Sequence, residues 1–119
     1  MRSTLVTGLS DTRSFEVTAE RSTDHAVRAV LATPSMIGLI EWVCLDTTTE
    51  HIEEGEATVG IHVCVSHEAS VLVGESIEIQ VTLREIEGRK LLFDVEVLGP
   101  RGRVSAGTHR RAVIRLPAT

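Results

Sequence analysis

The sequence predicts an α+β domain in which a curved antiparallel sheet of about five strands wraps one long buried helix. Residues 33–46 carry apolar side chains on every side of a 3.6-residue wheel, which is typical of a helix that is buried all round. From residue 57 onwards, apolar and polar residues alternate in four segments, as they do in half-buried strands. The length of 119 residues indicates one domain, 1–119, with a real hydrophobic core.

The composition excludes several classes of partner. The 12 basic and 17 acidic residues give a net charge of -5 with no basic run, which argues against nucleic acid. Neither a membrane-length apolar run nor a secretory leader is found, so we expect a cytoplasmic protein with no membrane partner. Cys44 and Cys64 lack the spacing of a metal site, so no metal and no cofactor is expected.

The chain before the helix gives the weakest patterns. Residues 1–12 are polar and mixed, and we predict a loosely held leader there. Residues 14–20 alternate between apolar and polar side chains and predict the first strand. Residues 21–32 are compatible with either a short helical turn or an extended lead-in to the helix.

The helix itself is predicted from its start. Thr33 is a good N-cap and Pro34 is favoured at the first helical position. Glu41 lies in the middle of the apolar run, where a buried carboxylate needs a partner or a function. The alternative is that one narrow edge of the helix faces solvent.

The remaining chain predicts four antiparallel strands. Residues 57–67 form the first, and its apolar face should pack on the helix and comprises Val59, Ile61, Val63, Val65 and His67. Residues 77–83 and 91–98 predict a hairpin around a turn at 87–88. A last strand covers 104–116, with a bulge or kink expected at Gly107. The rest of the helix surface and the sheet edge require cover, so we expect a homodimer.

Four segments resemble one family. The helix segment TPSMIGLIEW, the strand VGIHVCVSH, the hairpin segment LREIEGRKLLFDV and the last-strand segment GTHRRAVI are together similar to hot-dog-fold thioesterases of the fluoroacetyl-coenzyme A thioesterase type. The resemblance covers residues 13–116. It implies hydrolysis of a small or medium acyl-coenzyme A, or of an acyl carrier thioester, with Thr33, Glu41 and His67 in catalytic positions. Gly60 and Arg111 match positions near the acyl group. Residues 21–32 lack the aromatic lid residue of that type, which argues against selectivity for a fluorinated acyl group.

The chemistry leaves three routes open. Threonine attack, glutamate attack and water activated by His67 each suit thioester hydrolysis, and the free N–H groups at the helix N-terminus can polarise the carbonyl. We hypothesise that Glu41 and His67 form one site, although a lone histidine is also commonly satisfied by a backbone carbonyl. An alternative function is a non-catalytic acyl-coenzyme A binding or sensing module.

Consecutive basic residues near the C-terminus are candidates for phosphate binding. His109, Arg110 and Arg111 are adjacent in a strand and cannot all share a face, so we expect surface charge except where Arg111 reaches the site. The others, with Arg101 and Arg103 as weaker candidates, would bind coenzyme A phosphates.

Overall fold

The computed structural model describes residues 1–25 and 28–117. Its elements are β1 (Ser10–Glu16), a 3-10 turn (Ala19–Arg21), β2 (Ser22–His25), β3 (Arg28–Leu31), α1 (Thr33–Thr49), β4 (Glu56–Val65), β5 (Ser76–Glu87), β6 (Lys90–Gly99) and β7 (Gly102–Arg115). Five strands form one antiparallel sheet in the order β1-β5-β6-β7-β4, and α1 packs against it. The predicted α+β class, the helix and the hairpin are therefore confirmed. In the described chain, no helix has the length and apolar character needed to cross a membrane.

The core lies between α1 and the concave side of the sheet. One face of the helix is completely buried and contributes Met36, Ile40, Val43 and Cys44. The opposite face is apolar but exposed: Trp42 retains 45% of its accessible surface. The prediction of a helix buried on all sides is therefore wrong for a single chain, because the sheet covers only one side of α1.

Strand β4, the first of the four strands that follow α1, departs from simple alternation. Its register against β7 shifts between Gly60 and His62, which marks a β-bulge. Before the bulge the buried residues are Glu56 and Thr58, and Val59 and Ile61 are 39% and 46% exposed. The prediction that Val59 and Ile61 pack on the helix is wrong, because the pattern was extrapolated through a bulge that reverses which face each residue occupies.

The segment around the N-terminus is tied to the domain. Leu5 is buried, the Arg2 amide donates to the His51 carbonyl, and the Gly8 amide donates to the Leu83 carbonyl. Strand β1 begins at Ser10, within the predicted leader, and ends at Glu16. The idea of a loose leader over residues 1–12 is thus corrected.

The lead-in to the helix is an antiparallel hairpin. Strands β2 and β3 pair with each other, and Val30 makes a bridge to Leu72. Apart from Arg21, which ends the 3-10 turn, the described part of 21–32 is extended, and this favours the second of the two alternatives. Residues 26 and 27, part of the alternative helical turn, lie outside the described residues.

Gly107 has a different role from the predicted bulge. It pairs in register with both Val65 and Val95. A β-carbon there would lie 2.0 Å from the Cys64 carbonyl oxygen, so glycine allows the two strands to approach closely.

Candidate active site

The N-terminus of α1 carries the first pair of candidate residues. Thr33 is the first helical residue and Ala32 is the N-cap, so the predicted cap role of Thr33 is wrong. The Thr33 hydroxyl is instead free to contact His67, with 2.6 Å between Thr33 Oγ1 and His67 Nδ1. His67 lies in the loop after β4, two residues beyond its end. The structure therefore brings together a hydroxyl and an imidazole that are 34 positions apart in the sequence.

The same helix end offers backbone donors. No side chain of the described chain caps it, and Pro34 has no N–H to donate. The first intrahelical bond runs from the Met36 amide to the Ala32 carbonyl, which leaves the Thr33 and Ser35 amides without an intrahelical acceptor. These groups and the positive end of the helix dipole favour a polarised carbonyl or an oxyanion beside Thr33.

An open pocket of about 290 Å³ lies next to the Thr33–His67 pair. Its apolar wall consists of Val30, Leu31 and Ala69, and its polar rim comprises Thr23, Asp24, Glu68 and Ser70. The β2–β3 hairpin provides one side of this pocket and the loop after β4 provides the other. A substrate arm can thus reach the hydroxyl and the imidazole from solvent.

A second group of candidates surrounds Glu41, two turns further along α1. The Glu41 side chain is 40% exposed, and its Oε2 lies 4.0 Å from Nη1 of Arg111. Gly60 lies beneath both side chains: a β-carbon at this position would be 2.6 Å from Glu41 Oε2 and 3.5 Å from Arg111 Nη1. Gly60 and Arg111 are directly opposite each other in the β4–β7 pairing, so the two predicted substrate-binding residues do meet.

Arg111 is held almost entirely inside the protein. It is 5% exposed, its Nε donates to the Thr58 hydroxyl at 3.0 Å, and its Nη2 donates to the Thr58 carbonyl at 3.0 Å. Burial lowers the pKa of Arg111 from its ordinary value, and Glu41 opposes that shift. The guanidinium is the positive charge against which the Glu41 carboxylate lies.

His109 is a residue of this cluster that the sequence analysis missed. The expectation of surface charge is wrong, since His109 is completely buried and accepts a hydrogen bond at 3.1 Å from Arg111. The signal was present in the sequence, because residues 109 and 111 are two apart in a strand and therefore share a face. Only Arg110, between them, points the other way.

The two groups of candidates remain separate within one chain. The described residues include no hydrogen bond between Glu41 and His67, and Nδ1 of His67 is already in contact with Thr33. The hypothesised single site containing Glu41 and His67 is therefore not assembled by direct contact in an isolated chain. The helix α1 links the two groups, because Thr33 and Glu41 both lie on it.

The proposed phosphate ligands Arg101 and Arg103 are engaged elsewhere. Arg101 makes two 2.8 Å contacts to the Glu75 carboxylate, and Arg103 contacts Glu68 at 3.1 Å. These pairs fix the loop that carries His67. Within the described ranges no cluster of three or more metal-ligating side chains occurs.

Comparison with known proteins defines the class. A hot-dog-like protein from Thermanaerovibrio acidaminovorans superimposes with a TM-score of 0.85 at 18% identity, covering 92% of this chain and 83% of that one. The fold is thus a hot-dog fold, as the family resemblance implied. The family model described as fluoroacetyl-CoA-specific thioesterase matches residues 14–116. The chain belongs to the fluoroacetyl-CoA-specific thioesterase family.

Two relatives support this assignment. The fluoroacetyl-CoA thioesterase of Streptantibioticus cattleyicolor is 38% identical over 87 residues, which are 73% of this chain and 63% of the relative. The match therefore spans somewhat less than two thirds of that curated protein. A solved structure of the fluoroacetyl-CoA thioesterase FlK has a TM-score of 0.87 at 31% identity, covering 94% of this chain and 90% of that one.

Proposed function

We propose that the protein is an acyl-coenzyme A thioesterase that hydrolyses a small or medium acyl thioester to the free acid and coenzyme A. The observation that carries the proposal is the 2.6 Å contact between Thr33 and His67 at an uncapped helix N-terminus beside an open pocket. A hydroxyl, a base and free N–H donors are the three groups that acyl transfer from a thioester needs. Membership of the thioesterase family supports the same reaction.

In this mechanism His67 acts first as a base and then as an acid. It takes the proton of the Thr33 hydroxyl, or of a water held by that hydroxyl, as the oxygen adds to the thioester carbon. The oxyanion that forms is stabilised by the amides at the start of α1. The carbon–sulfur bond then breaks and the thiolate takes the proton from His67. If Thr33 is the attacking group, a water hydrolyses the resulting ester in a second, equivalent cycle.

Glu41, Gly60 and Arg111 form the remainder of the proposed site, completed in a homodimer. Support for the dimer comes from the exposed apolar surface of the edge strand β4, where Val59 and Ile61 lie. An unpaired apolar edge of this kind is normally covered. A two-fold partner that adds to β4 would enclose the half-exposed Glu41 and bring a second Thr33–His67 pair into the same interface.

The pocket suggests the kind of acyl group. Its apolar wall of Val30, Leu31 and Ala69 suits an aliphatic chain, and the described part of 21–32 contains no aromatic side chain to close over a two-carbon acyl group. We propose that the substrate carries an unfluorinated aliphatic acyl group on coenzyme A. The alternative carrier is the thiol of an acyl carrier protein. The two free cysteines fit a reducing, cytoplasmic location.

The test follows thiol release with a chromogenic reagent from short, branched, aromatic and long acyl-coenzyme A thioesters, and from matching acyl carrier thioesters. We expect turnover of aliphatic substrates by the wild type and its collapse in His67→Ala. The matched control is His51→Gln, since His51 follows α1 and its ring hydrogen-bonds to the Thr4 hydroxyl, which is not part of the candidate site. Tight binding of coenzyme A esters without turnover across the panel would refute the enzyme and indicate a binding or sensing module.

A further inference from the structure

His109 is a buried titratable residue to which the proposed mechanism gives no role. It lies in β7 with no exposed surface, directly behind Gly60. Its Nδ1 is 2.8 Å from the carbonyl oxygen of His62, and its Nε2 is 3.1 Å from Nη1 of Arg111. One ring thus joins the bulge of β4 to the guanidinium that faces Glu41.

The two contacts determine the form of the ring. A carbonyl oxygen only accepts hydrogen bonds, so Nδ1 must carry a proton and donate it to His62. A guanidinium only donates, so Nε2 must be unprotonated to accept from Arg111. Both contacts are satisfied only by the neutral ring with its proton on Nδ1. The charged and titratable groups that face the ring are Arg111, Glu41 and His62. Burial lowers the pKa of His109, and the charge of Arg111 adds to that shift. Together they outweigh the opposing effects of the hydrogen bond to the His62 carbonyl and of the Glu41 charge.

The geometry of Arg111 shows what this ring achieves. Thr58 holds Nε and Nη2, which fixes one side of the guanidinium. The remaining corner, Nη1, points towards the Glu41 carboxylate at 4.0 Å, and His109 is its hydrogen-bond acceptor. Without that acceptor, Nη1 would be a buried donor with no partner in place, and it would turn towards a different one.

We propose that His109 is a positioning residue: fixed to the bulge carbonyl of His62, its neutral ring aims Nη1 of Arg111 at the Glu41 carboxylate above Gly60. The part of the inference that concerns turnover rests on the proposed thioesterase function. The part that concerns the protonation state of the ring does not.

Two substitutions separate the two contacts of the ring. The amide of glutamine reaches about as far as Nε2, so His109→Gln keeps an acceptor for Arg111. The amide of asparagine ends near the position of Nδ1, so His109→Asn keeps only the contact to His62. We expect kcat to fall roughly 10- to 100-fold in His109→Asn with KM unchanged, and to be largely retained in His109→Gln. Equal kcat in both variants, after correction for the folded fraction, would overturn the proposal.

A double-mutant cycle tests whether His109 acts through Arg111. In an Arg111→Lys background, which lacks the planar fork, we expect His109→Asn to cause little further loss of kcat. Losses that multiply across the two sites would show independent roles and refute the proposal.

The protonation state is measured on the unmodified protein. Nitrogen-15 NMR of labelled histidine should show one protonated and one bare ring nitrogen on His109, with Nδ1 protonated, from pH 5 to pH 8. A ring that titrates in this range, or that carries its proton on Nε2, would overturn the inference. If the wild type hydrolyses no thioester, the proposed function fails and this spectrum alone decides the inference.

Discussion

Glu41 lies over Gly60 so closely that a β-carbon on residue 60 would be 2.6 Å from the carboxylate oxygen Oε2. Such a contact is far inside van der Waals distance, so the flexible end of Glu41 must move if residue 60 gains a side chain. Gly60→Ala should therefore displace the carboxylate from Arg111 and lower kcat at least about tenfold, since small displacements of positioned groups are costly. Steady-state kinetics of the variant, beside a thermal melt, measures both effects.

Gly38→Ala is the matched control for that substitution. Gly38 lies within α1, and a β-carbon there would meet nothing within 4 Å. Alanine is favoured over glycine in a helix interior by about 0.5–1 kcal/mol, so Gly38→Ala should raise the free energy of unfolding. Gly60→Ala should give no such gain, because its methyl group would press on Glu41 Oε2 and lie 3.2 Å from the buried His109 ring. Two variants of equal stability would contradict the geometry at Gly60.

The Thr33 hydroxyl contacts His67 and does not cap the helix, so its removal should affect turnover more than folding. We expect Thr33→Ser to stay within about tenfold of wild type and the near-isosteric Thr33→Val to lose at least about 100-fold in kcat. Kinetics on the best substrate of the panel, with mass spectrometry for an acyl group on Thr33, provides the measurement.

Thr49→Val is the control for the loss of a helix hydroxyl. Thr49 is exposed at the last turn of α1 and donates only to the Leu45 carbonyl. The kcat of Thr49→Val should match that of the wild type. If Thr33→Val were equally active, the pair formed by Thr33 and His67 would have no part in the reaction.

The overall architecture was predictable because its signals are local. The hairpin of β5 and β6 alternates between buried and less buried residues over 77–83 and 93–98, on either side of a turn, and the apolar run after Pro34 has helical length. The predictions failed where they depended on how one strand pairs with another. The bulge between Gly60 and His62 leaves no clear mark in the sequence, yet it exposes Val59 and Ile61.

The site was predictable residue by residue but not as an arrangement. Thr33, His67, Glu41, Gly60 and Arg111 were all named, and the structure places each on or beside α1. Which of them touch depends on the register of β4 against β7 and on the loop after β4, and no pattern in the chain specifies either. The role of His109 required three-dimensional contacts with His62 and Arg111.

The exposed apolar edge of β4 predicts the oligomeric state. Ile61 is one of the most exposed large apolar residues of the sheet, so Ile61→Glu should place a charge in the proposed two-fold interface. Light scattering should give the wild type a mass of twice the 12.9 kDa chain, and the variant should shift towards the monomer and lose turnover.

The control for this charge is Val6→Glu. Val6 is also exposed, but it lies in the N-terminal segment beside β5, which two strands, β6 and β7, separate from β4. The Val6→Glu variant should have the same mass in solution as the wild type. A wild type that is monomeric while it turns over substrate would refute the dimer.

Glu56 predicts how the protein responds to acid. Its carboxylate accepts hydrogen bonds from the Met1 ammonium group, from the Glu53 amide at 2.9 Å and from Arg89 at 2.6 Å. These contacts, the one to the Met1 ammonium group foremost, lower the pKa of Glu56 to about 2. A carboxyl whose pKa is lower in the folded than in the unfolded state stabilises the fold above its ordinary pKa. That contribution should be complete above about pH 4.5 and should disappear as the pH falls towards 2.

Glu56→Gln should therefore be less stable than wild type at pH 7, and the difference in the free energy of unfolding should vanish in acid. Denaturant titrations between pH 2 and pH 7 measure this difference, with the exposed Glu54→Gln as control. A difference that stays constant across the range would mean that the ionised carboxylate does not stabilise the fold.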